Sequence, residues 1–68
     1  MKTVSGKRMC RVLEGRGWLL VRISGSHHVY RNPATGRQTT VPVHGSADLK
    51  PGTQRSIMRD AGLTDDDL

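Results

Sequence analysis

The sequence predicts a single α+β domain, a three-stranded antiparallel sheet with two helices on one face, in the order α-β-β-β-α. Three observations predict it. Apolar residues recur at helical spacing towards each end of the chain, runs rich in β-branched and aromatic residues fill the middle, and Gly-, Pro- and Asn-containing turns separate them. Two amphipathic helices must each cover an apolar stripe, and packing both on one face of the sheet is the simplest arrangement that does so.

The first helix is expected from Ser5 to about Glu14. Met9, Val12 and Leu13 stand at i, i+3 and i+4, Ser5 can cap the start, and Gly15 or Gly17 can close the end in a left-handed turn. Lys7, Arg8 and Arg11 fall mostly off that stripe and face water or a ligand. The first strand is Trp18 to Ile23, broken by Ser24-Gly25-Ser26. Extended structure resumes over His27-His28-Val29-Tyr30-Arg31, and Asn32-Pro33-Ala34-Thr35-Gly36 is turn chemistry. The third strand covers Arg37 to Val43, with Thr39, Val41 and Val43 on one face. Pro42 cannot donate to a ladder, so it marks an end or an edge. Pro51-Gly52-Thr53 announces the last helix with Thr53 as cap; Ile57, Met58 and Ala61 form its stripe, and Gly62 with Leu63 closes it. This order is that of double-stranded-RNA-binding domains, although a fold by itself does not fix a function. The whole chain, 1–68, reads as one domain with an ordered core over about 4–63, and the acidic residues 64–68 are expected to fray.

Size and charge narrow the function. A chain of 68 residues buries only about 60% of the surface that it exposes unfolded, so its core is thin and a site is a surface groove rather than an enclosed pocket. All eleven Lys and Arg lie within residues 1–63, against only Glu14, Asp48 and Asp60 there. Such a surface attracts polyanions, because neutralised phosphates release their counterions. Cys10 is the single cysteine, so no disulfide forms within the chain and a reducing, cytoplasmic setting is expected. The N-terminal residues turn polar at once, without the apolar stretch of a signal peptide, and no apolar run is long enough to span a bilayer.

Three histidines carry the candidate chemistry. His27 and His28 are adjacent in an extended segment, so their side chains face opposite sides of the sheet and cannot share a metal ion in regular strand geometry. The helical His-x-x-x-His spacing is absent too, and neither a metal nor any other cofactor is expected. A histidine after Gly25-Ser26 suits acid–base work on RNA, because an imidazole gives and takes protons near neutral pH and RNA carries its own nucleophile in the 2′-hydroxyl. Gly25 lets a backbone approach closely, and Ser26 can donate to a phosphate oxygen. Arg22, Arg31 and Arg37 can pair with phosphates, as can Lys50 ahead of the last helix. His44 is a possible auxiliary acid or base. Tyr30 and Trp18 can stack on bases, with Trp18 better suited to the core. Read from the residues alone, Gly25-Ser26 also fits a plain hairpin turn between solvated strand histidines.

The segment Gly25-Ser26-His27-His28-Val29-Tyr30 resembles the Gly-Ser-His signature of HicA-type toxins, the small ribonucleases of HicA–HicB toxin–antitoxin pairs. Its surroundings are similar to that family as well: Leu13-Glu14-Gly15-Arg16-Gly17-Trp18 ahead, then Val41-Pro42-Val43-His44, Leu49-Lys50-Pro51-Gly52-Thr53 and Ile57 to Leu63 behind, in the family's order over about residues 4–63. The resemblance implies a double-stranded-RNA-binding-like fold, metal-independent cleavage of mRNA, and inhibition by a HicB-type antitoxin. It implies His27 as the catalytic histidine, with His28 in reserve. A non-catalytic RNA-binding module of the same fold is the alternative.

Overall fold

The computed structural model describes residues 2–68. The order is α1 (Gly6–Gly15), β1 (Leu19–Ser24), β2 (His27–Arg31), β3 (Gln38–Pro42) and α2 (Pro51–Ala61), followed by a 3-10 turn at Asp65–Asp67. The three strands form one antiparallel sheet in spatial order β1-β2-β3. The expected α+β architecture is therefore the one observed.

Helix α1 starts where Ser5 Oγ accepts from the Arg8 N–H at 3.1 Å. It buries Met9, Cys10 and Leu13, and its C-terminal end folds back through the Trp18 N–H, which donates to the Leu13 carbonyl at 3.0 Å. Trp18 thereby precedes the strand and enters the core, 3% exposed. Helix α2 is capped differently from expectation. Lys50 is the N-cap, without a side-chain cap bond, and Pro51 occupies the first turn. Proline is preorganised for that position and has no N–H to satisfy, so the helix starts two residues ahead of Thr53, which lies inside it. At the other end Gly62 takes φ +66°, and the Leu63 N–H bonds to the Met58 carbonyl.

Both helices bury their stripes in one cluster with Trp18, Tyr30 and Val41, so both lie on the same face of the sheet. Alternation along β2 then sorts the sheet. Tyr30 and His28 face the helices with their partners Thr39 and Val41; His27, Val29 and Arg31 face the other way with Pro42, Thr40 and Gln38. Strand β1 follows the same alternation, interrupted by a register shift between Leu20 and Arg22.

Two features close the core at the chain ends. Gln54 is completely buried; its Oε1 accepts from the Val4 N–H at 2.9 Å, and its Nε2 donates to the Lys2 carbonyl. The Leu49 N–H bonds to the Val4 carbonyl at 2.8 Å, so residues 2–5 run as a strap beside the segment leading into α2. Residues 64–68, expected to fray, are folded. Thr64 and Asp67 form a reciprocal capping box, Asp67 pairs with Arg16, and Leu68 is 7% exposed within the core. Buried leucine and capped backbone outweigh the like charges of Asp65, Asp66 and Asp67, which mere composition had suggested would unravel the segment.

Candidate functional site

Ser24 pairs with His27, leaving Gly25 and Ser26 as a two-residue hairpin loop, and Gly25 adopts φ +58° as such a loop requires. The turn function of Gly25 is thus explicit in the backbone. The Ser26 carbonyl accepts from the Val43 N–H at 2.8 Å, continuing the β2–β3 ladder past the strand ends. This bond ties the hairpin tip to the segment carrying Val43 and His44.

His27 and His28, one residue apart, occupy different environments. His27 is exposed on the face away from the helices, together with Arg22 and Arg31. His28 is half-buried on the helix side and lines an open groove of about 320 Å³. Lys7, Arg11 and Glu14 of α1 form the opposite wall, with Cys10, Tyr30, Leu20 and Val43 between. Lys7, Arg11 and Glu14 stand at i, i+4 and i+7, the spacing of one helix face, so this wall is a second stripe of α1 beside its apolar one.

The approach of that wall to the sheet depends on Gly6. Gly6 is buried, and a Cβ there would collide with the Pro42 carbonyl oxygen. Within the groove, the Tyr30 hydroxyl donates to Glu14 Oε2 at 2.6 Å. Burial, reinforced by Glu14 and Cys10, pushes the Tyr30 hydroxyl far above the ordinary phenol range. Burial likewise raises the Cys10 thiol, so it stays protonated. Tyr30, 1% exposed, forms the groove's floor and cannot stack on a base, a correction to the sequence expectation: its position facing the helices was set by strand register.

The other expected residues lie apart. Arg37 sits in the turn before β3, at the end of the sheet opposite Gly25. His44 and Lys50 share a second groove of about 370 Å³ with Pro42, Ala47, Asp48, Leu49 and Thr53. A third groove, about 420 Å³, is lined by Thr39, Thr40 and residues of α2 and holds none of the predicted site residues. Among the described residues, no three His, Cys, Asp or Glu side chains converge as metal ligands would.

The structure therefore joins His28 to cationic residues of α1, and His27 to arginines of the sheet. Sequence reasoning had noted Lys7 and Arg11 only as solvent- or ligand-facing, and had missed Glu14; their common spacing was the available signal. Against known proteins, the chain matches the family described as HicA toxin of bacterial toxin-antitoxin, over residues 6–63. No curated protein matches it significantly.

Proposed function

The chain belongs to the HicA toxin family of bacterial toxin–antitoxin systems, and from that premise we propose that it is a metal-independent endoribonuclease acting on mRNA in the cytoplasm, with His28 as its acid–base group. The observation that supports this reading is the shared groove: one imidazole faces two cationic side chains, Lys7 and Arg11, across a cleft open to a polymer. His27, preferred from the motif alone, lies on an exposed face without such a concavity.

In this mechanism the neutral His28 imidazole takes the proton of a 2′-hydroxyl while its oxygen attacks the adjacent phosphorus. The bond from phosphorus to the 5′-oxygen breaks, and the imidazolium returns the proton to that oxygen. The products are a 2′,3′-cyclic phosphate and a 5′-hydroxyl, with no net proton change. Lys7 and Arg11 balance the charge that accumulates on the phosphorane oxygens. Arg22 and Arg31 on the open face, Arg37 in the turn before β3 and Lys50 ahead of α2 hold flanking phosphates, with backbone groups of Gly25 and Ser26 near the scissile one. His44, in the second groove, moves no proton in this scheme. A HicB-type antitoxin silences the enzyme by covering this basic surface.

A second reading keeps the function and places it on the open face, where His27 stands with Arg22 and Arg31. Incubation of a long RNA with the protein in EDTA separates the two. His28→Ala is expected to lower the cleavage rate by about 10² or more, the usual contribution of a positioned acid–base group, while His27→Ala keeps most of it. The reverse pattern moves the site to the open face. If both variants and the wild type bind RNA yet leave it intact, the chain is an RNA-binding module of the same fold.

A further inference from the structure

The two edges of the sheet are finished in opposite ways. Strand β3 carries polar Gln38 and Thr40 outward, packs against both helices, and ends at Pro42, which has no N–H to offer a further strand. Strand β1 packs against α1 alone, ends without a proline, and is guarded only by one register shift and one arginine. All six of its residues are exposed, and four are large and apolar: Leu19 at 57%, Leu20 at 43%, Val21 at 47% and Ile23 at 55%. An exposed apolar edge strand of this kind is a template for another strand.

The charge around this edge selects the occupant. No Asp or Glu occurs between Glu14 and Asp48, and that stretch holds Arg16, Arg22, Arg31 and Arg37. A second copy would set Arg22 and its neighbours against an equally basic edge, with no acid to offset the repulsion. An acidic strand with alternate apolar residues would meet both the arginines and the exposed leucines and valines. We propose that the outer edge of β1 is a docking site for an extended, acidic and apolar segment of a protein partner, which adds a fourth strand to the sheet. This rests on the reading of the chain as a toxin held by a neutralising protein, and locates where that protein grips it. A strand there would lie along the mouth of the groove through Leu20, which belongs to both the edge and the groove wall.

The test uses the full chain, isotope-labelled, and a synthetic capped peptide of alternating Glu and Val as long as β1, with a Lys and Val peptide as control. The Glu–Val peptide is expected to shift the amide signals of residues 19–24, slow their hydrogen exchange, and bind more weakly as salt is raised. The double variant Leu19→Thr, Val21→Thr keeps β-branched residues in the strand. It is expected to weaken peptide binding about tenfold, as two apolar cross-strand contacts are lost, with RNA cleavage unchanged. No change at β1 at millimolar peptide, or equal binding of the Lys–Val peptide, overturns the proposal. So do β1 shifts that grow with protein concentration alone, since these assign the edge to a second copy. Loss of RNA cleavage by the wild-type protein would instead count against the ribonuclease reading, and leaves the peptide result standing.

Discussion

Single residues decide much of this small core because each has few neighbours to share its role. Gln54 is the clearest case: a polar side chain with no exposed surface, held by the backbone of Val4 and Lys2. Gln54→Ala leaves a buried N–H without its acceptor and opens a cavity, and is expected to cost roughly 2–4 kcal/mol; chemical denaturation would measure it. Tyr30 gives a pH signature. With its hydroxyl raised above the ordinary value of 10.0, the folded state keeps a proton that the unfolded state has released once pH passes that value. The Tyr30 contribution to stability is therefore full below it and falls as pH rises above it, by up to about 1.4 kcal/mol per pH unit for one such proton. Tyr30→Phe is expected to flatten that alkaline decline, read from unfolding midpoints between neutral and strongly alkaline pH. A smaller slope in the same direction remains, since Cys10 is raised as well.

At the scale of elements, the helices and turns were legible because their signals are local. Ser5 as a cap, the Met9 and Leu13 stripe, and Gly62 as a left-handed stop each depend on residues a few positions away. What depends on distant partners was not legible. The run Leu19-Leu20-Val21-Arg22-Ile23 reads as a strand, yet nothing in it says that it forms an uncovered edge, which follows from strand order and from where the helices lie. Similarly, the motif placed a histidine beside Gly25-Ser26, but register determined that His28 rather than His27 faces α1. The 64–68 segment was misread for the same reason, since Leu68 finds its contacts at the far end of the chain. Leu68→Ala is expected to cost about 2 kcal/mol, at the low end for a buried leucine, and to lower Tm by roughly 10 °C in a thermal melt.

At the scale of the molecule, the strap, α2 and the final turn are joined across nearly the full length of the sequence. Lys2 Nζ and the Arg8 guanidinium both donate to the Leu68 carbonyl oxygen, at 3.5 and 3.2 Å. Gln54 holds the strap from the other side. A chain emerging from the ribosome releases α1 first, along with the groove wall made by Lys7, Arg11 and Glu14. That wall leans on the sheet through Gly6 and Tyr30, but the strap ahead of it is fixed only when residue 54 and then residue 68 are in place. Ribosome-bound chains halted at residue 62 are expected to be cut rapidly by a protease under conditions in which the chain extended past residue 68 resists. The strap thus works as a latch with two catches: Gln54 and Leu49 close one, and the lead into α1 is fully fastened only when Leu68 closes the other.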